Sequence, residues 1–96
     1  RKDYLNQSLL GFFLLEACKN NDLNTINEVL NKGCNINFSD YDNRTALHIA
    51  CAEGHTDVIK LLLKSKIKIQ KDRWNNIPLD DIFKEKEIEI KELFND

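Results

Sequence analysis

The apolar positions of this chain recur at a spacing that predicts short paired helices. In the middle of the chain they lie three and four residues apart, which places them on one helical face. These positions are Val58, Ile59, Leu62 and Leu63. Gly54 precedes them and can end an earlier helix by adopting positive φ. Thr45 can cap the start of that earlier helix with its hydroxyl. We therefore predict two antiparallel helices within residues 45–63.

The same pattern occurs 33 residues earlier. The stretch LLEACKNNDLNTINEVLNKGCNIN, residues 14–37, matches LHIACAEGHTDVIKLLLKSKIKIQ, residues 47–70. A third copy begins at DRWNNIPLDD, where Pro78 and Leu79 fall on Ala46 and Leu47 with an offset of 32. Pro suits the first position of a helix because its missing N–H would be unpaired there anyway. A period of this length is the mark of a stacked repeat protein.

An extended segment rich in Asn and Asp follows the second predicted helix of the first copy. The stretch CNINFSDYDN suits a β-turn finger, with Asn43 tolerating the left-handed conformation. We predict three helix–turn–helix units, at about 9–39, 40–71 and 72–96. Residues 1–8 are expected to be a linker or frayed start.

The sequence of the middle unit resembles the ankyrin repeat. TALHIA, residues 45–50, closely matches the ankyrin helix-opening pattern, with Ala in place of Pro. The resemblance covers about residues 9–94 and implies an all-α ankyrin-repeat solenoid with short β-turn fingers. It also implies that the ring of His48 hydrogen-bonds backbone between adjacent repeats. The positions that carry the repeat motif are Thr45, Leu47, His48, Ala50, Gly54, Pro78 and Leu79.

Among ankyrin proteins, two groups resemble this chain in finer detail. The double Asn after Arg73-Trp74 is similar to the C-terminal ankyrin segment of kidney-type glutaminases. That resemblance implies a non-catalytic regulatory or assembly segment, with glutamine hydrolysis performed elsewhere. The alternative is an ankyrin segment of a protist or plant-type protein kinase or ion channel. Because the sequence has no Met, we expect it to be a piece of a longer chain.

The third copy departs from the repeat pattern. Ile77 replaces the capping Thr, Asp80 replaces the His, and Lys86 stands where Gly54 would fall. The final segment is more polar, as expected for a repeat exposed to water. Its EIEI stretch alternates like a strand. However, Glu87 and Lys91 are spaced for a helical ion pair, so we predict a helix there.

Composition narrows the class of partner. A net charge of −2 argues against nucleic acid, since phosphate binding needs surplus positive charge. The apolar run from Leu9 to Leu15 is too short to span a membrane.

The odd cysteine count favours a reducing intracellular compartment, which would be cytoplasmic, or mitochondrial for a glutaminase. A basic stretch at 60–73 and an acidic one at 80–92 permit head-to-tail self-association.

Three candidate chemical sites are weak in this context. The first is a zinc site formed by His48, Cys51 and His55, which lacks a fourth ligand and is interrupted by Gly54. The second is a hydrolase Ser-x-x-Lys pattern at Ser65 and Lys68, which falls in a lysine-rich loop. The third is a calcium loop starting at Asp40, in which the Gly and distal Glu are missing. We therefore expect no catalytic residue, metal, cofactor or small-molecule substrate. Core packing is the interpretation of the three cysteines, Cys18, Cys34 and Cys51.

The finger tips are the best candidates for contact with a partner protein or with a second copy. An aromatic residue beside an arginine on an exposed loop is the composition of a binding hot spot. Alternatively, Trp74 lies against the preceding finger with Arg73 stacked on it, as a structural clasp. The candidate residues are Tyr41, Asn43 and Arg44 in the first finger, and Arg73, Trp74 and Asn75 in the second.

Overall fold

The computed structural model describes the backbone of residues 2–95 and the side chains of residues 6–95. Arg1 and Asp96, at the ends of the predicted segments 1–8 and 72–96, lie outside this range. Within it the chain is built of helices, which confirms the all-α prediction. They are α1 (Lys2–Lys19), α2 (Leu23–Asn31), α3 (Ala46–Glu53), α4 (Thr56–Lys64) and α5 (Glu87–Phe94), with 3₁₀ turns at Pro78–Asp81 and Lys84–Lys86.

Two helical hairpins, α1–α2 and α3–α4, form most of the core. The predicted apolar face of α4 is buried through Val58, Ile59 and Leu62. Ile26 and Val29 do the same in α2. The small side chains of Ala50 and Cys51 in α3 are fully buried. The prediction of two helices within residues 45–63 is confirmed.

Helices α1 to α4 all end in the same way. A residue with positive φ follows each helix, and the next N–H donates to the carbonyl five residues back, as in the Schellman motif. The positive-φ residues are Asn21 (59°), Gly33 (90°), Gly54 (75°) and Lys66 (65°). The bonds run from Asp22 to Ala17 (2.9 Å), Cys34 to Val29 (3.1 Å), His55 to Ala50 (3.1 Å) and Ile67 to Leu62 (3.2 Å).

The first unit begins differently from the expectation. Residues 2–8 belong to α1, where we predicted a linker or frayed start. The side-chain amide of Gln7 anchors this segment, because its Nε2 donates to the carbonyl of Gly33 (2.7 Å). Its Oε1 also accepts the N–H of Asn35 (2.9 Å). The helix is thus tied to the loop that follows α2, and the outer boundaries of the repeats remain a prediction.

The third unit also departs from the prediction at its first helix. Pro78 and Leu79 open a single 3₁₀ turn, Pro78–Asp81, in place of an α-helix. The chain then extends, and the N–H of Phe83 donates to the carbonyl of Cys51 (2.9 Å). The Phe83 ring lies so close to Gly54 that a Cβ there would meet it at 2.9 Å. Packing onto the second unit therefore replaces further helical turns.

The last helix agrees with the prediction. α5 spans the EIEI stretch, and Lys91 Nζ lies 2.8 Å from Glu87 Oε2. Hydrogen bonding to Lys91 lowers the pKa of Glu87. Ile90 is fully buried and Phe94 is half-buried against the core.

Candidate functional site

The two fingers share one backbone geometry, and in each an aspartate side chain closes the turn. Asp40 does this in the first finger, although its sequence had suggested only a calcium ligand. Asp40 Oδ1 accepts the N–H groups of Asp42 (2.9 Å) and Arg44 (3.0 Å). Asp72 Oδ1 accepts those of Trp74 and Asn76, both at 2.9 Å. An Asx turn of this kind fixes the loop without help from a ligand. The equivalence of Asp40 and Asp72 at the repeat offset was the signal for this role.

Asn43 and Asn75 complete the turns. Both have positive φ, 59° and 67°, as predicted for Asn43. Their N–H groups donate to the carbonyls of Asp40 (2.9 Å) and Asp72 (3.0 Å). These two candidate residues therefore shape the finger tips, and the tips they shape carry Tyr41 and Trp74.

Arg73 joins the second finger to the first. Its N–H donates to the carbonyl of Asp42 (2.7 Å), and its Nη1 lies 3.2 Å from Asp42 Oδ1. Its guanidinium also lies 5.7 Å from the centroid of the Trp74 ring. Arg73 therefore links the two fingers, whereas Trp74, which the clasp interpretation placed against the preceding finger, remains 59% exposed.

The aromatic tip of the first finger is more open. Tyr41 is 93% exposed, with its ring centroid 6.0 Å from that of Phe12 in α1. Arg44 is half-buried at the base of the same finger and lines a groove of about 480 Å³ between α1 and α3. The apolar side of this groove is Phe12, Leu15 and Ile49, and charged residues surround it: Glu16, Lys19, Asp40 and Glu53.

His48 connects the middle unit to the second finger. Its Nδ1 accepts the N–H of Thr45 (3.1 Å) and also lies 3.1 Å from the Thr45 hydroxyl. Because Nδ1 is an acceptor, the proton lies on Nε2, which donates to the carbonyl of Asn76 (2.9 Å). The bond between repeats that the resemblance implied for this histidine is present.

His55 makes the opposite connection. Its Nδ1 lies 3.0 Å from the carbonyl of Cys18 and must donate there, since a carbonyl only accepts. His48 thus bonds towards the third unit, whereas His55 bonds back to the first. Their geometry therefore explains both imidazole rings as hydrogen-bonded links between neighbouring units.

Comparison with known proteins agrees with this geometry. A family model described as ankyrin repeats (3 copies) matches residues 11–92. The chain belongs to the ankyrin-repeat family.

Several proteins contain similar ankyrin segments. The mitochondrial liver isoform of glutaminase from Rattus norvegicus is 41% identical over 85 residues, which cover 86% of this chain and 14% of that protein. Serine/threonine-protein kinase 12 of Arabidopsis thaliana is 37% identical over 81 residues (83% of this chain, 18% of the kinase). The Arabidopsis potassium channel GORK is 40% identical over 72 residues (74% of this chain, 9% of the channel). The chain therefore spans less than a fifth of each relative.

Ankyrin repeats are non-catalytic interaction modules, and the resemblance to glutaminase is confirmed. The glutaminase named above is a liver isoform, whereas the sequence resemblance was to kidney-type enzymes. In the described part of the chain, no helix has the length and apolarity needed to cross a bilayer.

Ser65 and Lys68 lie on the surface, and the three cysteines lie in the core. Ser65 caps the end of α4, and both Ser65 and Lys68 are exposed, not enclosed in a pocket. The three cysteines are buried free thiols. Burial, and secondarily Cys34, raises the pKa of Cys18 to about 12. Burial, and secondarily Asp81, raises the pKa of Cys51 to about 12. Burial also raises the pKa of Cys34. Thiols with raised pKa values are poor nucleophiles.

Sequence reasoning missed three exposed apolar residues of this ankyrin domain. Leu9, Phe12 and Phe13 lie on the solvent side of α1. We had considered their stretch only as a membrane segment. The signal that could have identified them is the presence of large apolar residues on all sides of the helix.

Proposed function

We propose that this ankyrin domain is the protein-binding regulatory or assembly segment of a glutaminase-like enzyme. Its partner would be a protein surface that contacts the finger tips and the groove between α1 and α3. The observation that supports this most directly is the exposure of Tyr41 and Trp74 on two turns of identical geometry.

The fingers suit binding because they are ordered in advance. Each turn is closed by its own aspartate, and Arg73 fixes the second finger to Asp42 of the first. A partner therefore need not supply the free energy of ordering the loops, which commonly weakens association. Rigid aromatic side chains beside arginine are the typical anchors of protein interfaces.

The groove adds a mixed apolar and charged surface. Phe12 and Ile49 offer apolar contact, while Arg44, Lys19, Glu16 and Glu53 offer both signs of charge. The ion pairs found among residues 6–95 lie elsewhere, in the fingers and around α5. A protein segment with one apolar side chain flanked by charges fits this surface better than nucleic acid or a small molecule.

The glutaminase resemblance supports the choice of parent. If the parent is a glutaminase, catalysis lies in the part of the enzyme that the 14% coverage leaves out. Buried free thiols suit a reducing compartment, which would be the cytoplasm, or the mitochondrion as in the named relative. The kinase and the potassium channel, at 37% and 40% identity, support a second candidate, an ankyrin segment of such a protein.

The test uses the full-length protein that contains this chain. Glutamine hydrolysis by that protein supports the glutaminase parent, and its absence would favour the kinase or channel alternative. The double variant Tyr41→Ala/Trp74→Ala should then weaken assembly or partner binding by at least about tenfold, as expected for hot-spot residues.

The matched control is Ile88→Ala, since Ile88 is a 78% exposed apolar residue of α5 and belongs to neither finger. It should leave sedimentation and hydrolysis unchanged. If the finger variant lowers the melting temperature but leaves assembly intact, the fingers are purely structural and the binding proposal is wrong.

A further inference from the structure

Large apolar side chains are concentrated on the solvent side of α1. We call this surface the α1 patch, and its members are Leu9 (57% exposed), Phe12 (41%), Phe13 (50%) and Tyr41 (93%). Leu9 and Phe13 are four residues apart, so they lie one above the other on the helix. Phe12 continues the patch towards the first finger, where its ring meets Tyr41.

The patch lies opposite the buried side of α1. Leu14 and Cys18 are fully buried in the core, and Gly11 is covered by Phe38. On a helix of 3.6 residues per turn, positions 9 and 13 point away from positions 14 and 18. The uncovered side therefore carries three large apolar residues of α1, beside the exposed polar residues Asn6, Glu16 and Lys19.

The other helices show how unusual this is for a surface helix. α2 and α4 separate an apolar buried face from a polar exposed one, as surface helices do. α3 lacks this separation, but most of its side chains are buried between the neighbouring units. α1 also lacks this separation, although its outer side is open, because large apolar residues occur on both its buried and its exposed sides. Its sequence is thus suited to a second packing partner.

The open area is sufficient for a small specific interface. Taking about 150–250 Å² for a whole aromatic side chain, the four residues leave roughly 400–500 Å² of side-chain surface open per copy. Two such patches brought together bury about 800–1,000 Å², which reaches the lower limit for a specific protein interface only when Tyr41 is buried too. The largest apolar patch on a soluble monomer is commonly about 300–600 Å² and is often functional, so the α1 patch lies within this range.

From these features we infer that α1 is a self-association surface, and that its occupant is α1 of a second copy packed in an isologous pair. In antiparallel packing, Leu9 of one copy meets Phe13 of the other, so the same stripe is complementary to itself. Glu16 lies on the same side of the helix as Phe12 and Phe13, and Lys19 follows one turn on, so their opposite charges leave no net charge to repel a second copy. This surface shares Phe12 and Tyr41 with the proposed protein-binding surface but does not include Trp74, so a change at Trp74 alone separates the two proposals.

The experiment is sedimentation velocity of the 96-residue chain over a range of concentrations, once cooperative thermal unfolding has shown that this chain folds on its own. The wild type should form a closed dimer with a dissociation constant on the order of micromolar, given its small interface. Phe13→Glu should weaken dimerisation at least tenfold, because it places a carboxylate in the apolar centre. Leu9→Glu should do the same. Circular dichroism should show that both variants keep the helical fold.

The matched control is Ile88→Glu, which places the same charge at an exposed apolar position outside the patch. It should leave the dimer intact. A wild type that stays monomeric up to about 1 mM would overturn the proposal and point to another protein or a preceding segment as the occupant. Open-ended association, or a dimer that survives Phe13→Glu and Leu9→Glu, would also overturn it. Trp74→Ala should affect only the finger interaction, so the two proposals can fail separately.

Discussion

Lys66 holds a backbone conformation that the preceding repeat assigns to glycine. Its φ of 65° matches the 90° of Gly33, which lies 33 residues earlier. The N–H of Ile67 bonds to Leu62 as that of Cys34 bonds to Val29. A side chain in the left-handed region costs free energy, because Cβ crowds the following carbonyl oxygen. Lys66 is therefore a strained residue in a turn built for glycine.

Lys66→Gly should raise the free energy of unfolding by about 0.5–1 kcal/mol. Relief of the left-handed strain, about 1–2 kcal/mol, exceeds the entropy that glycine gains in the unfolded chain, about 0.5–1 kcal/mol. Urea denaturation measures the change. The neighbouring Ser65→Gly is the control, because Ser65 has an ordinary φ of −85° and should only lose stability. Equal losses in both variants would contradict the argument.

The buried cysteines predict a loss of stability in alkali. The pKa of Cys51 is about 12 in the folded protein against an ordinary 9.0, so the unfolded chain gives up this proton first. Stability from this thiol is complete below pH 9 and falls by about 1.4 kcal/mol per pH unit between pH 9 and 12.

Cys51→Ala should therefore make the pH dependence shallower by that amount, as measured by denaturation at pH 8, 9 and 10. Cys18 has a similar pKa and remains in the variant, so part of the slope should persist. An unchanged slope would show that the thiolate of Cys51 is tolerated in the folded core.

At the scale of residues, the sequence was informative where a residue type, such as Gly or Asn, readily adopts a backbone conformation that others avoid. The left-handed Asn43 and the helix-ending Gly54 were predicted and are confirmed. The left-handed conformations of Asn21 and Lys66 were missed, because neither residue stands in a local sequence that requires positive φ. Only the repeat register, which places Asn21 on Gly54 and Lys66 on Gly33, carries that information.

At the scale of elements, α1 makes one close contact with the loop that leads into the first finger. A Cβ at Gly11 would lie 2.3 Å from the Phe38 ring, which itself packs edge-on to Phe12 at 5.0 Å. The glycine lets the aromatic side chain of the loop reach the helix backbone. Gly11 is thus required for packing, although glycine within a helix is otherwise unfavourable.

Gly11→Ala should lower the free energy of unfolding by about 1–3 kcal/mol, since overpacking outweighs the roughly 1 kcal/mol gained in helix propensity. The double variant with Phe38→Ala should recover part of the loss, because the clashing ring is gone. A double-mutant cycle by thermal denaturation checks this coupling. A more stable Gly11→Ala protein would mean that Phe38 is free to move aside.

The elements that the sequence predicted are those with a clear helical stripe. α2, α3, α4 and α5 were expected and are present. The extension of α1 was not, because residues 2–8 are mixed in polarity and their anchor, Gln7, acts on a loop 26 residues away. The 3₁₀ turn at Pro78–Asp81 was also missed, since it results from the packing of Phe83 on Gly54. For the site, the aromatic finger tips could be read locally, whereas the α1 patch depends on which side of the helix is covered.

At the scale of the whole molecule, the two histidines connect three units through backbone carbonyls. His48 reaches Asn76 and His55 reaches Cys18. His48 is almost fully buried, so its loss would leave the carbonyl of Asn76 and the N–H of Thr45 without their partner. Buried polar groups without partners are costly.

His48→Ala should therefore destabilise the chain by about 2–4 kcal/mol, whereas His55→Ala, with one bond at a half-buried site, should cost about 1 kcal/mol. Amide hydrogen exchange should also show that the segment around Asn76 opens more readily in His48→Ala than in the wild type. Equal costs for the two variants would indicate that packing, not the link to the third unit, determines the role of His48.

Asp80 takes the position of His48 in the third unit, and it can accept a hydrogen bond but cannot donate one to a following unit. Its carboxylate accepts the N–H of Ile77 at 2.9 Å, as His48 accepts that of Thr45, but an ionised carboxylate has no proton to pass onward. An engineer who wished to lengthen this array by a fourth module would therefore need Asp80→His, so that the new module could be fastened to its predecessor.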